Sequence, residues 1–196
     1  MDATRRRRRP ALVRAALLDA AVQEAMVHGV GNVTVLSVAA RAGVSKGALF
    51  HHFATRQDLL EAAYAECLAR FGDALDVLVA TDPVPHGRFS RAYVRATFQA
   101  MHAEDANWAR FSLSALVEPA FAALWRHWLD ERLAQVPAER NAPRLRVARL
   151  AADGYWLQAL GGGLVESGPA GIDALRECVV SFTYDDAQPA TGRPLT

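Results

Sequence analysis

The 196-residue chain is poor in cysteine. It has only Cys67 and Cys178, far apart and outside any CxxC pattern. That count disfavours a disulfide framework and a cysteine-rich zinc site, and a reducing cytoplasm is the expected home. Lysine is scarcer still, with Lys46 alone beside 21 arginines, and glycine is modest, with 13 residues against 39 alanines. Abundant alanine with little glycine favours helices over strands. No apolar run approaches the ~18–20 residues that cross a bilayer, so no membrane partner is expected. Arg14 and Asp19 interrupt the segment behind the basic N-terminus, which leaves no signal-peptide apolar region. A P-loop, a dinucleotide fingerprint and a recognisable nucleophile setting are all missing. Neither an enzyme nor a cofactor is therefore expected. His28, His86, His102 and His127 are scattered, so no metal site is expected either.

What is present is a folded-chain composition, 52% hydrophobic and 22% charged. The net charge of +1 hides a split. Residues 1–56 hold nine basic side chains against Asp2, Asp19 and Glu24, a balance of +6, while the rest carries −5. That asymmetry points to a polyanion partner for the N-terminal part only.

Residues 1–9, with Arg5–Arg9, carry no apolar pattern and read as a disordered basic arm. A first helix is expected from Pro10 to Gly29, a C-terminal stop. Thr34 then stands in N-cap position before Val35–Ala42, and Ser45 before a third helix from Lys46 to Phe53. Thr55 to Asp58 resembles a capping box, with Asp in place of Glu, and opens a long fourth helix to Val79. Further helices are expected over 87–103, 105–117, 119–135, 143–166 and 170–184, and residues 185–196 read as a disordered tail. The expected fold is all-α, with an N-terminal three-helix domain over 10–55 and a C-terminal helical domain over 56–184.

Two short helices joined by the Ala42-Gly43-Val44-Ser45 turn make a helix-turn-helix. Leu49 and Phe53, four apart, can face the core. Lys46, Gly47, Phe50 and His51 share another face, flanked by Ala48 and His52. Lys46 can reach guanine acceptors or a phosphate, and Ala48 a thymine methyl. Ser45 at the helix N-terminus suits a phosphate. His51 and His52 diverge as helix neighbours, so a phosphate contact fits one of them better than a shared metal.

The run from Val33-Thr34-Val35 through Val38-Ala39-Ala40-Arg41-Ala42-Gly43-Val44-Ser45-Lys46-Gly47-Ala48-Leu49-Phe50-His51-His52-Phe53 to Arg56-Gln57-Asp58-Leu59-Leu60 resembles the N-terminal domain of the TetR family of transcriptional regulators. The likeness covers about residues 12–62. It implies a homodimer on double-stranded DNA at a palindromic operator, released when a small-molecule effector enters the C-terminal domain. It also implies phosphate contacts from Thr34, Ser45, His51 and Arg56, and base contacts from Lys46, Ala48 and His52. Three positions depart from the family pattern. Phe50 stands where a Tyr whose hydroxyl reaches a phosphate is usual, Arg56 where Lys is usual, and Ala25 where a core Phe is usual. Met26 and Val30 are the candidates to fill the space at Ala25.

All four tryptophans lie in the C-terminal part. Phe98, Met101, His102, Trp108, Phe111, Trp125, Trp128 and Trp156 are the candidate pocket walls, suited to an apolar or aromatic molecule or a flat cation. Ala152-Asp153-Gly154-Tyr155-Trp156-Leu157 resembles a segment common in regulators of choline-to-betaine genes and many relatives, too widespread to specify a ligand. As in the family, the last two helices, over 143–166 and 170–184, are the expected dimer interface, through Leu150, Trp156, Leu157, Leu160, Leu164, Leu175, Val179 and Phe182 with Gly154 and Gly161–Gly163. The expected function is a ligand-responsive repressor. The alternatives are a helical small-molecule-binding or enzymatic protein with a decayed DNA head, and a module whose basic arm binds RNA or membrane.

Overall fold

In the computed structural model, which describes residues 2–102, 106–160 and 168–185, every regular element among the described residues is helical. The α-helices are α1 (Asp2–His28), α2 (Val35–Arg41), α3 (Lys46–His52), α4 (Arg56–Thr81), α5 (Arg88–His102), α6 (Asn107–Phe111), α7 (Pro119–Ala134), α8 (Pro137–Arg140), α9 (Pro143–Leu160) and α10 (Gly168–Ser181). Short 3-10 turns occupy Val30–Asn32 and Ser112–Leu116. No helix among the described residues is long and apolar enough to cross a membrane.

Three boundaries differ from expectation, and a fourth, like Leu164 of the expected interface, lies outside the described residues. First, α1 begins at Asp2, so the segment read as a disordered arm is drawn as helix. Arginine is a good helix former. Pro10 lacks the N–H that would bond four residues back, which is why the sequence pattern starts the helix there. Second, the helix expected over 105–117 is a five-residue α-helix followed by a 3-10 turn. The Ser112 hydroxyl donates to the Ala109 carbonyl at 2.5 Å, a local bond that competes with the backbone ladder. Third, α8 occupies part of the stretch read as a separator, with Pro137 in the first turn, where a missing N–H costs little. Fourth, the expected tail falls outside the described residues beyond Asp185, as do Gly161–Gly163.

The chain forms two compact units, one from 1–70 with 105–128 and one from 71–104 with 129–196. The expected boundary at residue 56 falls inside the first unit, because the start of α4 contributes to its core. Leu17 and Ala21 of α1, Val38 of α2, Leu49 of α3, and Leu59 and Tyr64 of α4 are buried together. Tyr64 stacks on Phe121 at 4.7 Å and donates to the Ser112 carbonyl at 3.1 Å. Of the two candidates to fill the space at Ala25, Val30 is partly buried against this core, while Met26 is 38% exposed.

The second unit is built around α5, which is buried along most of its length. Gly87 precedes it with φ +69°, and a Cβ there would lie 2.1 Å from the Thr183 carbonyl oxygen. Only glycine meets both demands. Arg91, fully buried, donates to Asp82 at 2.5 Å, to Val84 O at 2.8 Å and to Thr183 Oγ1 at 3.2 Å. Burial raises the Asp82 pKa, but the bonds from Arg91 and the Val84 N–H outweigh it and hold the carboxyl below its ordinary value.

Candidate nucleic-acid interface

Caps local in sequence place the recognition segment. The Thr34 hydroxyl accepts the Ser37 N–H at 3.0 Å, and Ser37 Oγ accepts the Thr34 N–H at 3.3 Å, a reciprocal box that starts α2. The helix ends where Gly43 takes φ +66°, with the Gly43 N–H on Ala40 O at 3.1 Å and the Val44 N–H on Ala39 O at 3.0 Å. These are the two bonds of a Schellman stop, and they need a residue at ease in the left-handed region. Two residues later Ser45 Oγ accepts the Ala48 N–H at 3.1 Å and starts α3. Thr55 and Asp58 exchange bonds of 3.0 Å at the head of α4. Each such cap contributes about 1 kcal/mol.

Two charged contacts brace this frame. Arg41 Nε lies 2.5 Å from Glu24 Oε1, tying α2 to α1. The Arg41 bond, with a smaller one from Ser37, lowers the Glu24 pKa despite the burial that opposes it. Arg56 Nε donates to Val33 O at 2.6 Å, and Nη2 donates to Val30 O. This differs from the phosphate role expected of Arg56. Two of its nitrogens are committed to backbone carbonyls, so the side chain clamps α4 to the 3-10 turn and the strand-like link before α2.

On α3, Leu49 and Phe53 are buried and the opposite face is open. Lys46, Gly47, Phe50 and His51 are exposed, with Ala48 and His52 half-buried at the margins. The Lys46 ammonium lies 5.7 Å from the Phe50 ring centroid, and the His51 and His52 rings are 5.6 Å apart, edge to face. Ser45 and Thr34 are exposed, with their oxygens engaged in capping. The Ser45 hydroxyl accepts a cap bond and still carries a proton to donate, while the Thr34 hydroxyl donates to Ser37 Oγ at 3.1 Å. The face is narrow, basic at one end and free of carboxylates, which suits entry into a major groove about 12 Å wide.

A family model described as bacterial regulatory proteins, tetR family, matches residues 17–63, and one described as Tetracyclin repressor-like, C-terminal domain, matches 87–178. The HTH-type transcriptional regulator BetI of Escherichia coli O127:H6 is 30% identical over 157 residues, which cover 73% of this chain and 80% of that protein. The chain belongs to the TetR family. BetI 1 of Chromohalobacter salexigens is 28% identical over 191 residues, 88% of each chain. Among solved structures, the multidrug binding protein EbrR complexed with ethidium superposes with a TM-score of 0.61 at 25% identity, covering 87% of this chain and 97% of that one. This TetR-family chain is thus a transcriptional regulator with a DNA-binding helix-turn-helix domain.

The candidate pocket residues divide between the units. Trp108 and Phe111 belong to the core of the first, with Trp125 and Trp128 packed against it and stacked on each other at 5.4 Å. Phe98, Met101, His102 and Trp156 belong to the second. There Phe98 stacks on Tyr155 at 3.7 Å, and His102 Nε2 lies 2.5 Å from the Tyr155 hydroxyl. Sequence reasoning named His102 but did not bring Ser90, Arg149 and Asp153 into this second group. The Tyr93 hydroxyl donates to Asp153 Oδ1 at 2.5 Å, and Arg149 Nη1 donates to Ser90 Oγ at 2.5 Å. Burial raises the Asp153 pKa, and the Tyr93 bond and the Arg149 charge offset only part of that. The spacing of Leu145, Ala148, Ala152 and Tyr155 was the available signal, since it marks the buried stripe of α9.

Proposed function

We propose that this regulator is a homodimeric repressor that grips a palindromic operator through α3 and lets go when a small molecule enters the C-terminal part. The open face of Lys46, Gly47, Phe50 and His51 carries the reading, because it is rigidly capped and its buried side is complete without DNA. Lys46 is the base-reading cation, Ala48 and His52 border it, and Thr34, Ser45 and His51 contact phosphates. Arg56 supports this surface from behind.

Two-fold pairing supplies the second half-site that one short helix needs. Apolar side chains left exposed on α9 and α10 support the pairing. Leu150 and Leu157 are 57% and 51% exposed, and Leu175 and Phe182 are each 40% exposed. A stripe of this kind on a regulator calls for cover. Val179, expected at the interface, is buried within the protomer instead.

The effector class is an apolar aromatic molecule or a flat cation. The aromatic content of residues 87–165 favours it, and ethidium, the flat cation bound by EbrR, has that chemistry. A DNA target makes the cytoplasm the working site. The deciding experiment is a gel shift of the full chain on the DNA flanking its own gene, with and without malachite green, an aromatic cation that EbrR also binds and that does not insert between base pairs as ethidium does. Specific retardation, lost on adding the cation, is expected. Binding indifferent to sequence would overturn the reading.

A further inference from the structure

We infer that Phe50 reads a C5-methyl group on a pyrimidine in the operator's major groove, an assignment that rests on the DNA reading above. Phe50 is 43% exposed, although α3 already sends Leu49 and Phe53 into the core. It therefore contributes no packing that the fold requires. It stands on the same open face as Lys46, one turn on, and Gly47 and Ala48 between them present nothing larger than a methyl. The phenyl ring is thus the main relief on that part of the face. Lys46 sits over the ring at 5.7 Å, so cation and ring are presented side by side.

The chemistry of the groove narrows what such a ring can meet. The base edges there offer hydrogen-bond donors and acceptors, and one apolar feature, the C5-methyl of thymine. A phenyl ring has no hydrogen-bonding group to satisfy the polar edges, and left against them it would desolvate them without return. Against the methyl it removes apolar surface from water on both sides. The same methyl is carried by 5-methylcytosine, so the recognised chemistry is the methyl and not the thymine carbonyl.

The test begins with the full chain selecting duplexes from a random library. Failure to enrich any palindrome would overturn the DNA reading and this inference with it. On the selected site, each thymine is replaced in turn by deoxyuridine, which removes only the methyl. One replacement per half-site is expected to weaken binding about fourfold, the worth of one buried methyl, and about fifteenfold when made in both half-sites. Placing 5-methylcytosine at that position should bind better than cytosine, and equal binding of the two would overturn the inference. Phe50→Ala should bind the thymine and uracil sites alike, with an unchanged salt slope, because no charge is removed. Phe50→Tyr, which keeps the ring, should retain the discrimination. A wild-type chain indifferent to every methyl would overturn the inference alone. So would discrimination that survives Phe50→Ala and vanishes in Ala48→Gly. Circular dichroism of each variant separates lost reading from lost folding.

Discussion

The helix-turn-helix head and the second unit satisfy their polar groups in opposite ways. In the head most polar contacts are local. Thr34 with Ser37, Ser45 with Ala48 and Thr55 with Asp58 each bridge three residues and terminate helices. In the second unit the polar contacts join distant segments. Ser90 meets Glu139 across 49 residues, Arg149 meets Ser90 across 59, and Arg91 meets Thr183 across 92. Glu139 takes the Phe89 and Ser90 N–H groups at the start of α5, work that a neighbouring Ser or Asp performs in the head. A DNA-reading surface needs its short helices held at defined angles, which local caps achieve cheaply. A helical effector domain needs one packing arrangement of long helices, and long-range buried bonds select it.

The largest test of that contrast is Arg91→Ala. Removing a fully buried guanidinium strands the Asp82 carboxylate, and the expected loss is about 3–5 kcal/mol by urea unfolding. A loss under about 1 kcal/mol would mean the second unit does not depend on this network. Next comes Arg56→Ala. If Arg56 clamps the carbonyls of Val30 and Val33, stability falls by about 1.5–3 kcal/mol, as for hydrogen bonds to a charged group. The salt slope of DNA binding then stays as it was. A slope lowered by about one with an unchanged melting temperature would instead return Arg56 to the phosphate backbone. Ser45→Ala should cost about 0.5–2 kcal/mol and Ser45→Gly only a few tenths, the signature of a cap.

The smallest effect is one of slope. Glu24 is held below its ordinary pKa chiefly by Arg41, so it binds protons less readily folded than unfolded. Its contribution to stability is complete above the ordinary carboxylate range and is lost as pH falls through the lowered folded value. Melting temperature followed from pH 6 downward should fall more steeply in the wild type than in Glu24→Gln. Parallel curves would mean the clasp between α1 and α2 carries no net stabilisation.

The same contrast explains what was legible in advance. The caps at Thr34, Ser45 and Thr55, the Gly43 stop and the inward pair Leu49 and Phe53 all follow from spacings of three or four residues. So does the outward face from Lys46 to His51, and that placed the candidate interface. The Arg56 clamp was not foreseen because its partners are backbone carbonyls 23 and 26 residues away, which no side-chain pattern records. The aromatic residues of the C-terminal part were recognised as a surplus, but spacing along a helix does not say which neighbour a face meets. Trp108 and Phe111 thus went to the core of the first unit while Phe98 and Tyr155 paired in the second.

The sequence alone therefore determined the helical class, the position and order of the recognition elements, and the charge that draws the N-terminal part to DNA. Backbone propensity, capping and net charge act over a few residues, or as simple sums, and do not depend on how the helices pack. Only the tertiary structure decided that Arg91, Glu139 and Arg149 are buried among long-range partners, that Asp153 meets Tyr93, that Val30 is partly buried while Met26 is more exposed, and that Phe50 remains outside. Each of those outcomes is set by which surfaces meet once the helices pack, and burial gives such groups their energetic weight.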